Sequence, residues 1–361
     1  MPARGTPKEK AIKGIKAKIS RIGIDALLVT GQNDIIYLTG FYAPGVILIT
    51  RSGPPTYFVD PMNKTLAEKA LKGQKLQISA VKGSIDGSVA SFLKDRKLKR
   101  IGYDSRVLSV ADYLRLTSRL PKARFLSEVK KCPVDSIIQD LREIKKAEEI
   151  NILRRAARAT SSIWRQVKKD IRPGMSERSI ASMIDVRVRG LGYENSFPTI
   201  AAAGENSAYP HAIPMGRRLK KGEHLLVDFG IRHQGYCSDL TRIWADGRIG
   251  RKIRLLKKHV RIVQDKVIEK LKSGVSAGAL AREANLYFKN NNLGDYVCHG
   301  LGHGVGLDIH EAPFLKETSR ERLKEGMVVT IEPGLYMPGV GGIRLEDMVL
   351  ITKNGYEVLT R

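Results

Sequence analysis

The chain has 361 residues, 42% of them hydrophobic, and a formal charge of +26 from 63 Lys and Arg against 37 Asp and Glu. Such a length and apolar content suffice for two packed cores and set aside a disordered or fibrous chain, and no apolar run approaches the roughly 20 residues that a membrane-spanning helix needs. The excess charge is spread out: 25 basic against 10 acidic residues in 1–131, and 38 against 27 in the remainder. There is no arginine-rich tail or aromatic-interleaved basic run, and only DRKLKR at 95–100 is locally dense, so nucleic acid is expected to bind nonspecifically at most.

The first element is a helix, because Ile12, Ile15, Ile19 and Ile22 recur at helical spacing in a basic segment that lacks the apolar core of a secretory signal. Short strand patterns follow at DALLVT, GVILIT, PTYFVD, RIGYDS and ARFLSE. They are separated by helical stretches such as NKTLAEKALKG and VADYLRLTSRL, which predicts an α/β domain over residues 1–131. KKCPVD is the best linker, combining a charge pair, a proline and a turn acid. A second domain then covers 132–361. It opens with one long helical pattern from Ser136 to Ile171, ending before the turn-forming RPG, and a second helix over 175–192. Two more helices are expected around 251–272 and 276–290. The three cysteines, Cys132, Cys237 and Cys298, are odd in number and not spaced for zinc, which fits thiols packed as small apolar groups in a reducing cytoplasm.

Between and after these helices lie two strand pairs that carry acids. LLVDFGIRHQGYCSDLTRIW reads as a hairpin centred between His233 and Gln234, which would set Asp228 directly opposite Asp239. TIEPGLYMPGVGGIRLEDM reads as a second hairpin centred on Gly339, setting Glu332 opposite Glu346. No internal repeat is evident by inspection, although two hairpins with two acids each point to pseudo-symmetry. Opposed like charges cost up to about 1 kcal/mol per pair. Finding two such pairs calls for a cation between them.

A histidine cluster adds to the acids. Three of the seven histidines, His299, His303 and His310, fall in VCHGLGHGVGLDIHE, where alternating glycines let backbone approach an ion or substrate closely. His303, between two glycines, is the expected ligand, with Asp308 and Glu311 as orienting partners. One imidazole and four carboxylates form a hard, oxygen-rich set suited to two divalent ions, Mn²⁺ first, with Co²⁺, Fe²⁺ or Zn²⁺ as alternatives. Two such ions can share and activate a hydroxide for attack on a carbonyl, so the implied chemistry is hydrolysis.

VDFG with SDLTR, GHGVGLDIHE, TIEPG and GIRLED together resemble the peptidases of the creatinase, prolidase and methionine aminopeptidase group. The likeness extends upstream through GENSAYPHAIP and NDIIYLTGF, the latter similar to the smaller domain of prolidase and aminopeptidase P. The resemblance implies an α+β "pita-bread" catalytic domain behind an α/β N-terminal domain. It further implies that Asp228 binds one ion, that His303 and Glu332 bind the other, and that Asp239 and Glu346 bridge them. Glu332 would also shuttle the proton of the attacking water. His211 and His310 would contact the scissile carbonyl, His299 would line the substrate, and Arg344 matches an arginine that holds a metal-ligating carboxylate in aminopeptidase P.

The substrates implied are proline-containing peptides, and the assembly implied is a cytoplasmic homodimer. Some dipeptide-specific members carry an arginine four residues after the histidine of the HE pair, where this chain has Phe314. On that ground the expectation is an Xaa-Pro aminopeptidase, with an Xaa-Pro dipeptidase (prolidase) as the alternative and a non-catalytic binding protein on the same fold behind both.

Overall fold

The computed structural model describes residues 6–129, 132–247 and 249–361. The chain divides into two compact units, Met1–Arg142 and Glu143–Arg361. Lys130 and Lys131 of the expected linker lie outside the described residues. Among the described residues no helix is long and apolar enough to cross a membrane.

The N-terminal unit is built on a six-stranded sheet in the order Gln77–Ala80, Thr56–Val59, Gly45–Thr50, Ala26–Val29, Arg100–Tyr103, Arg124–Leu126. Ala26–Val29 is an unbroken apolar run because both its faces are covered and all four residues are buried; it runs antiparallel to Gly45–Thr50 and parallel to Arg100–Tyr103. The expected first helix is Pro7–Ile22. Thr6 starts it, its side chain accepting from the Glu9 N–H while Glu9 bonds back to Thr6. Of the isoleucine stripe, Ile15 and Ile19 are wholly buried, each worth roughly 1.5–3 kcal/mol. The sequence reading omitted the strand Gln77–Ala80 and the helix Ile85–Asp95, whose N-cap is Ser84.

The C-terminal unit consists of two similar halves. In the first, helices Ala147–Val167 and Glu177–Gly190 pack their apolar faces on a sheet of Ile200–Ala203, His224–Phe229 and Leu240–Ala245. In the second, Arg251–Glu269 and Ala277–Asn290 pack on a five-stranded sheet that includes Gly302–Gly304, Val328–Ile331 and Asp347–Ile351. The junctions match as well. The Gly174 N–H donates to the Leu219 carbonyl and the Gly274 N–H to the Leu323 carbonyl. Ser176 forms a bridge to Arg218, and Ser276 forms one to Arg322.

The single helix expected over 136–171 is in fact two, Gln139–Glu143 and Ala147–Val167. At the break the Lys145 N–H donates to the Gly326 carbonyl at 2.9 Å, and its ammonium lies 2.8 Å from Glu311 Oε1, both side chains being buried. The helix restarts at Lys146, whose N–H is taken by the Glu149 carboxylate. A tertiary tie has overridden a continuous helical pattern.

Candidate metal centre

The second acid hairpin has the expected register. Two ladders, Gly334–Met337 with Gly341–Arg344 and Val328–Ile331 with Asp347–Ile351, both run about a centre at Gly339, and Glu332 and Glu346 stand opposite each other in the gap between them. Gly339 turns the chain with φ +71°, a conformation that costs glycine little.

The first hairpin departs from expectation by one step. Its central residues are Gln234 and Gly235, at φ +50° and +86°, the pair of positive values that a type I′ turn needs. The register therefore sets His233 opposite Tyr236 and Asp228 opposite Thr241, so Asp228 and Asp239 are not directly opposed. Moving the centre by one residue moves the pairing by two, however, and side chains alternate with period two. Asp239 thus stays on the face of Asp228 as its diagonal neighbour, a separation that long side chains span.

The four acids and His303 line a cavity of about 540 Å³ together with His211, His299, His310, Phe314, Lys316 and Arg344. The residues expected as metal ligands, as catalytic groups and beside the substrate all line this cavity, whereas Asp308 and Glu311, expected as orienting partners, are not among its lining residues. His303 Nδ1 faces the Gly304 carbonyl at 3.1 Å, which makes Nδ1 the protonated nitrogen and leaves Nε2 directed at Glu332 Oε1 (3.0 Å) and Asp239 Oδ2 (3.7 Å). Ligand atoms of Asp239, His303 and Glu346 all lie within 4.8 Å of one another. His310 packs edge-on against His303, their ring centroids 4.4 Å apart.

Of the residues that hold these acids, the sequence reading named Arg344 but missed Thr241, Thr330 and Tyr336. Thr241, opposite Asp228, donates its hydroxyl to Glu346 Oε2 at 2.7 Å and accepts from Arg344 Nε. Thr330 donates its hydroxyl to Glu332 Oε1 at 3.1 Å. Arg344 is buried and reaches Asp228 Oδ2 at 2.6 Å while also donating to the Tyr336 hydroxyl, which lies 2.8 Å from His299 Nε2. Thr241 and Thr330 were findable, since each lies two residues along a strand from a predicted ligand and so shares its face. Tyr336 carried no comparable signal. Cys237 is buried with its thiol pushed up to about 11 by desolvation, whereas Cys298 is exposed, contrary to the expectation that every thiol packs inside.

The electrostatics fit a cationic occupant. Burial, joined by the charges of Glu346, Asp228 and Glu332, raises the Asp239 carboxyl well above the ordinary carboxylate range, and burial with Glu332 and Asp228 does the same to Glu346. Burial also opposes ionisation of Glu332, yet the hydrogen bond and charge of His303, with His299 and Arg344, outweigh it and bring Glu332 down to about 2. Oδ1 of Asp228 and Oε1 of Glu346 are buried without a hydrogen-bond partner. Orphaned carboxylate oxygens are costly in a protein interior. Divalent cations would satisfy both, and this donor set of carboxylates and imidazole suits them.

Comparison with known proteins agrees with this geometry. Residues 151–353 match the model of metallopeptidase family M24, and residues 12–144 match the creatinase/prolidase N-terminal domain. The chain belongs to metallopeptidase family M24, and its C-terminal unit has the pita-bread fold of that family. It is 32% identical to the Xaa-Pro dipeptidase of Pyrococcus horikoshii over 97% of this chain and 96% of that one. Among solved structures it is similar to an Xaa-Pro dipeptidase from Bacillus anthracis, with TM-score 0.91 and 31% identity over 98% of each chain. It is also similar to an X-Pro aminopeptidase from Thermotoga maritima, with TM-score 0.84 and 27% identity over 96% and 97%. The protein is therefore an enzyme, a metallopeptidase.

Proposed function

We propose that the protein is a dinuclear-metal-dependent Xaa-Pro dipeptidase, hydrolysing the bond between an N-terminal residue and a C-terminal proline. The observation that carries this reading is the convergence of four acids and His303 on one cavity, in a chain similar along nearly its whole length to proteins named Xaa-Pro dipeptidase. These likenesses reverse the order of preference drawn from Phe314. Xaa-Pro aminopeptidase activity is the second reading, favoured by that apolar, partly exposed side chain in the cavity wall.

In this reading Asp228 would hold one ion, His303 and Glu332 would hold the other, and Asp239 and Glu346 would serve both. Bound there, the ions would lower the pKa of a water molecule and polarise the scissile carbonyl. The protein's own groups do the remaining work. Arg344 pins the Asp228 carboxylate, and Thr241 and Thr330 fix Glu346 and Glu332, so the acids are aimed before substrate arrives. Glu332 takes the proton of the attacking water and passes it to the departing proline nitrogen. His211 and His310, both lining the cavity, donate hydrogen bonds to the carbonyl oxygen as its charge develops. Burial lowers the pKa of His310, which leaves its ring neutral with one N–H to donate. Manganese as the metal, a homodimeric assembly and a cytoplasmic location complete the reading on the strength of the sequence resemblance.

The test is product analysis of Ala-Pro, Ala-Pro-Ala and a longer Ala-Pro peptide, with Mn²⁺ and after chelation. Metal-dependent release of proline from Ala-Pro with little cleavage of the longer peptides is the expected result. Equal or faster cleavage of Ala-Pro-Ala would establish the aminopeptidase reading instead.

A further inference from the structure

We propose that the Lys316 ammonium receives the C-terminal carboxylate of the substrate. The inference rests on the dipeptidase reading, because only in an Xaa-Pro dipeptide does a carboxylate follow the scissile bond within one residue. A carboxylate that enters a partly enclosed cavity loses hydration and needs a cation to replace it.

The cavity wall includes one arginine and one lysine, Arg344 and Lys316. Arg344 is committed. Its guanidinium is buried and donates to Asp228, Tyr336, Thr241 and the Pro210 carbonyl, so taking a substrate carboxylate would mean abandoning an acid of the metal cluster. Lys316 is exposed, and among the described residues it has no ion pair and no side-chain hydrogen bond.

Its place just past the end of a strand puts it beside Phe314 in the cavity wall. Glu311–Leu315 pairs with Gly302–Gly304 so that Phe314 lies opposite His303 and Leu315 opposite Gly302. Phe314 and Lys316, two residues apart, both line the cavity and are exposed, while Leu315 between them is buried. The Lys316 Cβ lies beside Gly300, where a Cβ built on that glycine would stand 3.7 Å from it. The backbone at Gly300 thus leaves the lysine stem a clear path along the wall. The ammonium lies 5.9 Å from the centroid of the Phe314 ring, a weak contact that a carboxylate readily displaces. Phe314 would then cover the apolar proline ring, and Lys316 would take the charge beyond it. Four methylenes let that charge follow a small ligand in a way a fixed guanidinium fork cannot.

The test compares Ala-Pro with Ala-Pro amide, which has no carboxylate, in the Mn²⁺-loaded protein and in Lys316→Met and Lys316→Arg. Lys316→Met should raise KM for Ala-Pro about tenfold or more with kcat little changed, consistent with losing one charge-assisted contact. It should leave the slow hydrolysis of Ala-Pro amide unchanged, and Lys316→Arg should restore most of the dipeptide preference. Competitive inhibition by free proline should weaken in the Met variant in parallel, and the bound metal measured by mass spectrometry should stay the same. An unchanged KM for Ala-Pro in Lys316→Met, or an equal loss on dipeptide and amide, would overturn the assignment while leaving the dipeptidase reading intact. An unmodified enzyme that cleaves Ala-Pro-Ala as well as Ala-Pro would overturn both.

Discussion

Asp239 and Glu346 test the cluster residue by residue, since each is buried and each is raised by the charge of other acids at the site. Asp239→Asn or Glu346→Gln keeps the shape and removes a charge, so turnover should fall to near background, bound metal should drop, and circular dichroism should show the fold retained. Either variant at near-normal rate and metal content would remove these acids from the centre. His211 and His310 behave differently in this account. Alanine at either should lower kcat about a hundredfold, the scale of losing one hydrogen bond to a developing oxyanion, and leave metal content alone. Loss of one ion from either variant would make that histidine a ligand.

The five ligand candidates could be read from sequence because their chemistry is unusual and their spacing regular. Of their supports, Arg344 came through the family resemblance and Thr241 and Thr330 were findable but unread, while Tyr336 gave no signal, since its hydroxyl meets the Arg344 guanidinium only through a hydrogen bond across two strands. Phe314 was read as an apolar residue where some dipeptide-specific members carry an arginine, and it lines the cavity; the likeness to proteins named Xaa-Pro dipeptidase supports the alternative better than the preference drawn from it. The free cation two residues further on, Lys316, had not been weighed with it.

Within elements, the two hairpins show what turn chemistry conveys. The loop MPGVG placed its own centre, and the register followed along both ladders. RHQG was centred one residue early because a type I′ turn wants its glycine in the second central position, where Gly235 stands. Period-two alternation rescued the functional inference, since an even shift leaves each side chain on its face. Close backbone packing around His303 gives a further test. A Cβ on Gly302 would lie 2.0 Å from the Thr330 carbonyl oxygen, so Gly302→Ala must push apart the two strands that carry His303 and Glu332. A destabilisation of about 1–3 kcal/mol is expected, a fall in Tm of several degrees, together with weaker Mn²⁺ binding in a calorimetric titration. A variant with unaltered Tm and affinity would show that these strands yield more easily than their spacing implies.

At the scale of the molecule, the pseudo-symmetry suspected from two acid hairpins extends through the whole C-terminal unit. Arg218-Leu219-Lys220-Lys221-Gly222 and Arg322-Leu323-Lys324-Glu325-Gly326 occupy matching junctions, each ending in a glycine of positive φ. Inspection missed this repeat because the intervening helices have diverged while keeping only their apolar faces. The same unit couples metal to pH. Asp239 and Glu346 have folded-state pKa values raised above their unfolded ones, so in metal-free protein their protonated forms stabilise the fold at low pH, and that contribution is lost as pH rises through the raised values. Divalent ions replace those protons. The rise in Tm on adding Mn²⁺ should therefore grow between about pH 5.5 and about pH 8, and a rise that shrinks over that range would contradict the assignment.

The central claim is that four acids and His303 hold two divalent ions that this enzyme needs for hydrolysis. Titrating metal-free protein with Mn²⁺, while counting bound ions by mass spectrometry and proline released from Ala-Pro in the same samples, tests it most directly. The account predicts activity that climbs with occupancy and reaches its maximum at two ions per chain. Full activity in rigorously metal-free protein, or a maximum at one ion with no second site detectable, would contradict it.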